Sequence, residues 1–528
     1  MNSNVQITVE ENEPLLDRPI KKLSPFTICI PVFFHVLFLT MCVGVLQQWM
    51  LLYLCRYIPA VPDTDGVGYA FKHTFLAGIF NTFPILQTSP NWDQCRVDPD
   101  IQALAAQWSM VLQIFSGIPA LISVPIYGYL SDRYGRKPIL LISMISSVIT
   151  VTTLYCISLF NLGLWLLILT NFISGCMGSY FIMIGTTLAY FSDTTEPHER
   201  SKSFIFGEAA FFAGFAFGPL LGGFGARNLP NGPQDVFLIT LILDLFVVLY
   251  TIVFLPESLN HLKNNQNHDQ TVTDTDVDEK PSNSSILTLT SQILSQTKEL
   301  FVKASISRTF LLLLAIVLCL PLATSSKSLF FFYVSFKFGW DSQDEGQYGF
   351  FTSICVITCM LIVYPILLRV FEKHISTTKG KIKFDLNLIR VGLSFSTITT
   401  LIQALASKGL YFYFTTPLIG FATLISPNLK SLLSNSVESK SQGLLFSSIS
   451  FLEQLLGIVC VIFYSNLWKW TLKIHFENLF FFIAVFIFMT ALTISCFTKS
   501  TDLNSWIEKV KLENGSFDYE EEIVVMEP

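Results

Sequence analysis

Charge is scarce in this chain and absent over long stretches. Of 528 residues only 14% are Asp, Glu, Lys or Arg, against about 25% in an average soluble domain. None of the four occurs from Leu23 to Cys55, from Ile101 to Ser131 or from Pro138 to Ser192. A bilayer crossing takes about 20 apolar residues, so the last run has room for a whole helical hairpin. With 51% hydrophobic residues and a mean hydropathy of +0.54, this is the composition of a polytopic membrane protein and not of a soluble enzyme. Other absences narrow the field further. A net charge of -6 leaves no basic surface for nucleic acid. The eleven cysteines show neither CxxC nor Cys/His spacing, so no metal site is expected. The pattern GxxxxGK[ST] is missing, which excludes a phosphate-binding loop as the energy source. No catalytic constellation and no cofactor motif is present.

Twelve apolar segments can be placed, in two groups of six. The first group covers 26 to 54, 105 to 130, 138 to 160, 163 to 191, 204 to 225 and 236 to 256. The second covers 309 to 333, 347 to 370, 386 to 407, 409 to 432, 443 to 467 and 475 to 497. The organisation expected is a tail (1-25), a six-helix bundle (26-258), a central loop (259-308), a second six-helix bundle (309-497) and an acidic tail (498-528). The central loop contains NNQNHDQTVTDTDVDEKPSNSS, too polar to build a core and read as a disordered linker. After it, Ile286, Leu289, Ile293, Leu300 and Phe301 have the spacing of a helix lying along the membrane surface.

Orientation follows from Lys and Arg, which stay in the cytosol near spans. The connection after span 2 carries Arg133, Arg136 and Lys137, and that after span 8 carries Arg369, Lys373, Lys379, Lys381 and Lys383, whereas 56 to 104 holds only Arg56, Lys72 and Arg96. Both termini are therefore expected in the cytosol, with span 1 a retained anchor and not a cleaved signal. The sequons at Asn283 and Asn514 fall on the cytosolic side and should be unused. Cys55 and Cys95 lie on the opposite side, where they either pair in an oxidising compartment or remain two free thiols.

The connection after span 2 reads GYLSDRYGRKPIL, Gly128 to Leu140. Glycines permit a tight turn, and one carboxylate with two guanidinium groups makes a compact charge cluster at the membrane surface. A carboxylate such as Asp132 is suited to a helix N-terminus, which it can hold in one domain arrangement and lose in another. The stretch resembles the loop 2-3 signature of the major facilitator superfamily at every defining position. GFAFGPLLGG, Gly214 to Gly223, resembles the span 5 motif of proton-driven antiporters in that superfamily. SDTTEPHERSKSF with Asp193 and Arg200, and LPES with Pro256 and Ser258, are similar to it too. CRYI near Cys55 and SPNLKSLLSNSVESKSQGLLF from Ser426 resemble the tetracycline-resistance-type and proton-coupled folate transporter group, with its fungal-type relatives. The resemblance covers the N-terminal half by motif and the C-terminal half by topology. It implies an all-α fold of 12 transmembrane helices in two pseudo-symmetric bundles. It further implies that Gly128, Asp132, Arg133, Gly135, Arg136, Lys137 and Asp193 latch the two halves together. Gly214, Gly218, Pro219, Gly222 and Gly223 would supply close packing and a bend about which the halves rock. One departure stands out: many relatives have Arg in span 4 four residues before a Gly, where this chain has Asn171 before Gly175.

Ionisable groups inside spans are costly and are functional candidates by default. Glu208, Asp244 and Glu453 are the candidates for proton coupling, Glu208 being similar to a span 5 glutamate of the folate transporter group. His35, Gln47, Asn171 and Lys327 are candidates for the substrate cavity, Lys327 lying among Ser325, Ser326 and Ser328, which suit a locally broken helix around an anion. Gln48, Gln107 and Gln113 either line the cavity or hydrogen-bond helix to helix. Arg390 and Lys430 are expected to snorkel at span ends.

The N-terminal stretch ENEPLL, with Glu11, Leu15 and Leu16, resembles an acidic dileucine address read by a sorting adaptor. It points to the vacuolar or lysosomal membrane, with the plasma membrane as the alternative. The function expected is secondary active transport of a small organic solute, coupled to protons, by a monomer that is not an enzyme. The alternative is a non-transporting nutrient sensor on the same fold, signalling through its central loop and acidic tail.

Overall fold

The computed structural model describes residues 25–57, 92–195, 200–258, 308–375, 377–435 and 442–513. Among these, the regular structure is helical throughout. In the N-terminal half, α1 (Cys29–Tyr57) follows a 3-10 turn at Pro25–Ile28 and is succeeded by the short α2 (Trp92–Val97), α3 (Pro99–Tyr134), α4 (Arg136–Phe160), α5 (Trp165–Cys176), α6 (Ser179–Thr194), α7 (Arg200–Asn228) and α8 (Pro233–Phe254). In the C-terminal half, α9 (Arg308–Thr324) passes through a 3-10 stretch, Ser325–Leu329, into α10 (Phe330–Phe338). α11 (Ser342–Thr358) passes through a π-helical turn, Cys359–Val363, into α12 (Tyr364–Val370). Then come α13 (Glu372–Ile375), α14 (Thr378–Leu405), α15 (Leu410–Ala422), α16 (Ile425–Asn435), α17 (Gln442–Lys473), α18 (Leu479–Phe497) and α19 (Ser500–Glu513).

Among the described residues, eleven helical stretches are long and apolar enough to cross a membrane. The tenth expected span is the exception, because α15 and α16 are separate helices that change at Thr423 and Leu424. Span 4 is likewise interrupted: α5 ends at Cys176 and Gly178 takes φ +80° before α6 begins. The surface-lying helix expected around Ile286 to Phe301, the two sequons and the dileucine tail all fall outside the described residues.

Local sequence chemistry explains the helix starts. Asp98 Oδ1 accepts the backbone N–H groups of Asp100 (2.9 Å) and Ile101 (3.2 Å), and Pro99 occupies the first turn, so α3 begins at Pro99, six residues before the apolar run. Asp341 does the same for α11, accepting from Gln343 and Asp344 while its own N–H donates to Asp344 Oδ2 at 3.1 Å. That reciprocal cap draws Asp344 and Glu345 into the helix, five residues before the apolar run at 347. Along α8, Thr240, Asp244, Val247 and Thr251 are buried while Ile242, Leu245, Phe246 and Leu249 are exposed. A 3.6-residue period turns the first set inward and the second toward lipid.

The halves meet on the side opposite the Gly128 to Leu140 loop. Ser342 N donates to Gln48 Oε1 at 3.0 Å, Ser465 Oγ donates to the Ala106 carbonyl at 3.0 Å, and Arg227 Nε lies 3.5 Å from Asp341 Oδ2. Toward the signature loop, by contrast, a Cβ added at Gly128 would meet nothing within 4 Å.

Candidate transport site and signature cluster

Arg136 is the centre of the loop 2-3 cluster. It is 8% exposed, and its guanidinium donates to Asp132, to Ser131 Oγ (3.0 Å) and to both oxygens of Asp193 (2.7 and 3.4 Å). Ser258 Oγ adds a bond to Asp193 Oδ2 at 3.0 Å. The start of α4 is held by Glu257, whose two oxygens accept the backbone N–H groups of Arg136 (2.8 Å) and Lys137 (3.1 Å). Lys137 Nζ donates to the Ile252 carbonyl at 2.7 Å, and the Arg133 guanidinium lies 5.7 Å from the Tyr134 ring centre. Gly135 has φ +110°, and a Cβ there would run into the Glu257 carboxylate. The N-terminus of α4 is thus occupied by Glu257. Asp132 lies within the preceding helix, its side chain 71% exposed, and pairs with Arg136 four residues further on. Among the described residues these bonds all lie inside the N-terminal half, joining the ends of spans 2, 3, 4 and 6.

The membrane-buried pair is His35 with Asp244. His35 Nδ1 lies 2.8 Å from Asp244 Oδ1, and the side chains are 3% and 1% exposed. Asp244 Oδ2 is buried with no hydrogen-bond partner. The inward stripe of α8 presents Asp244 to α1, and His35 continues from there into the wall of a cavity of about 200 Å³ that Asn171 also lines. Asn171 Nδ2 donates to the Leu167 carbonyl at 2.8 Å, closing a bond within its own helix.

The remaining candidates are spread out. Glu208 is accessible on α7, within electrostatic reach of Lys430 on α16 in the other half. Glu453 is half-buried on α17, and Gln47 Oε1 is buried without a partner. Lys327 is accessible on the 3-10 stretch that interrupts span 7. The serines around it bond back to their own chain: Ser325 to Pro321, Ser326 to Ala323 and Ser328 to Ser325. Arg390 does not snorkel. Its Nε and Nη2 donate to the Ser495 carbonyl (3.2 and 3.0 Å) and Nη2 to the Thr498 carbonyl (2.9 Å), capping the end of α18. α7 runs unbroken through Pro219. Its glycines face neighbouring backbones: a Cβ at Gly214 would meet Val36 and Leu37, at Gly218 the Leu37 carbonyl, at Gly222 the Met41 carbonyl and at Gly223 Ser342 across the halves. Cys55 and Cys95 are joined by a disulfide with Cα atoms 5.7 Å apart.

Glu345 and Asp385 are carboxylates inside helices that escaped the sequence reading. Glu345 packs against Gly44 where the halves meet, and Asp385 is buried in α14. The signal for Glu345 was the Asp341 to Asp344 spacing of a helix start; Asp385 sits one residue before the apolar run. Glu257 lay within LPES without a role assigned.

Residues 66–461 match the family model described as Major Facilitator Superfamily. Over 381 residues the chain is 24% identical to the MFS-type transporter avaJ of Aspergillus versicolor, covering 70% of this chain and 72% of that one. It is 24% identical over 412 residues to the human lysosomal proton-coupled steroid conjugate and bile acid symporter SLC46A3, covering 77% and 82%. A shorter match, 31% over 187 residues, links it to the class B tetracycline resistance protein of Escherichia coli, covering 35% of this chain and 42% of that protein. Among solved structures, the human organic anion transporter MFSD10 superposes over 90% of this chain and 100% of its own with a TM-score of 0.54 at 15% identity. A D-xylose-proton symporter does so over 90% and 99% with 0.53 at 15%. The fold is that of a multi-pass membrane transporter. The chain belongs to the Major Facilitator Superfamily, and its work is membrane transport and not enzymatic catalysis.

Proposed function

We propose that the protein is a proton-coupled secondary transporter that moves a small organic solute by alternating access in a vacuolar or lysosomal membrane. The observation that carries the coupling is the His35–Asp244 pair: an imidazole and a carboxyl 2.8 Å apart, buried inside membrane spans. Ionisable groups are retained at such depth for ion or proton pathways, and here two of them lie within hydrogen-bond distance. The proton-coupled lysosomal relative and the dileucine-like tail both favour an acidic organelle. Residues 26-258 and 309-497 act as the two moving bodies, and with the signature loop in the cytosol the arrangement described is the one closed toward the lumen. Glu208 and Glu453 are further coupling groups, and Lys327 faces an anionic part of the cargo.

The test is flux in proteoliposomes under an imposed pH gradient, screening organic solutes that include steroid conjugates and bile acids. Accumulation should require the gradient, and Asp244→Asn should abolish gradient-driven accumulation while leaving solute exchange. Accumulation that is the same with and without the gradient would sink the coupling.

A further inference from the structure

The cavity beside His35 is built by the N-terminal half alone. Its walls come from α1, α3, α4, α5 and α6, whereas a site shared between the two bundles would draw on both. One wall is hydroxyl-rich, with Ser143, Ser146, Ser147 and Thr150 from α4 facing Ser174 from α5. The facing wall, Leu39, Val43 and Leu46 of α1, is apolar. Ser146 and Ser174 satisfy each other at 2.9 Å. Ser147 differs: it is 8% exposed, lines the cavity, and its Oγ is buried with no partner. An unsatisfied buried hydroxyl costs free energy unless a ligand or water completes it.

The backbone singles out the same place. Span 4 is interrupted at Met177 and Gly178, immediately before the cavity residues Tyr180 and Met183, and span 10 is interrupted at Thr423 and Leu424. Spans 4 and 10 occupy corresponding positions in the two halves, and of the two breaks it is that of span 4 which borders this cavity.

The lining also sets the charge of an occupant. His35 is the one Asp, Glu, Lys, Arg or His residue on the wall, and its Nδ1 is engaged by Asp244. An ionised guest would surrender its hydration and find no unpaired counter-charge. At about 200 Å³ the space is below the range of drug-sized sites.

We propose that this cavity is a cargo subsite that takes an uncharged, amphipathic molecule or molecular portion, its hydrogen-bonding edge against Ser147 and its apolar face against α1. The assignment rests on the transporter reading for the occupant being cargo.

Three probes of one skeleton test it: benzyl alcohol, benzoate and benzylammonium, each measured for saturable binding to the full-length protein in nanodiscs by saturation-transfer NMR. Benzyl alcohol should bind at least tenfold tighter than either ion, and Ser147→Phe, which fills the cavity, should weaken it at least tenfold. Equal binding of the three probes, or benzyl alcohol binding unchanged in Ser147→Phe, would overturn the proposal. The ranking on the unaltered protein decides by itself if that variant fails to fold. Gradient-driven flux is scored separately. A flux-active protein without probe selectivity sinks the subsite alone, and selective probe binding without gradient-driven flux sinks the proton-coupled reading while leaving a ligand site.

Discussion

The Glu257 carboxylate accepts the backbone N–H of Arg136 at 2.8 Å, so the end of span 6 caps the beginning of span 3. The cap leaves the Arg136 side chain free for Asp193 and Asp132, whose environments differ: their side chains are 8% and 71% exposed. Removing one partner of a buried ion pair costs about 3–5 kcal/mol, whereas an exposed pair contributes about 0–1 kcal/mol. Asp193→Asn should therefore lower thermal stability clearly in purified protein. Asp132→Asn should leave it almost unchanged while slowing solute flux in proteoliposomes. Equal losses of stability would show that the two carboxylates are not distinguished by burial.

The His35–Asp244 pair predicts coupled losses. Asp244→Asn and His35→Gln should each remove the response of flux to the pH gradient, and the double variant should be no worse than either single one, because both act on one unit. Glu208→Gln provides the contrast: flux that stays responsive in Glu208→Gln and is lost in Asp244→Asn would assign the coupling to the pair. The reverse pattern would move it to span 5.

Gly222 lies so close to the Met41 carbonyl that a Cβ cannot be added without a shift. Overpacking at such a contact costs about 1–3 kcal/mol. Gly222→Leu should push α7 from α1 and lower the midpoint of thermal unfolding, and a variant as stable as the parent would mean that the contact is not a tight one.

Arg390 caps three bonds' worth of carbonyl at the end of α18. Arg390→Leu leaves those carbonyls without their charged donor, a loss of about 2 kcal/mol. Faster amide hydrogen exchange around Ser495 to Thr498 would report it, with Arg390→Lys recovering part of the protection.

Span positions, the signature loop and the glycine face of span 5 were legible because each is a local pattern: a run of apolar residues, a fixed spacing, small residues four apart. His35 and Asp244 were each visible as a polar residue in a span, but their pairing was not, since 209 residues separate them and no local rule sets which face of span 6 turns toward span 1. Glu345 was placed outside its span because hydropathy marks the apolar run and not the cap, and Asp341 starts α11 five residues ahead of that run. The split of span 10 was hidden for a related reason: ATLIS, Ala422 to Ser426, is apolar enough to pass for continuous helix. Arg390 looked like a snorkelling cation because its partners are backbone carbonyls more than 100 residues away, which side-chain patterns do not reveal.

The Cys55–Cys95 bond turns the intervening chain into a covalent ring. A protease that cut once between residues 58 and 91 would open that ring without releasing a fragment, and the nicked molecule would keep its full mass until a reductant separated the pieces. In a degradative compartment the bond would hold the two sides of such a cut together.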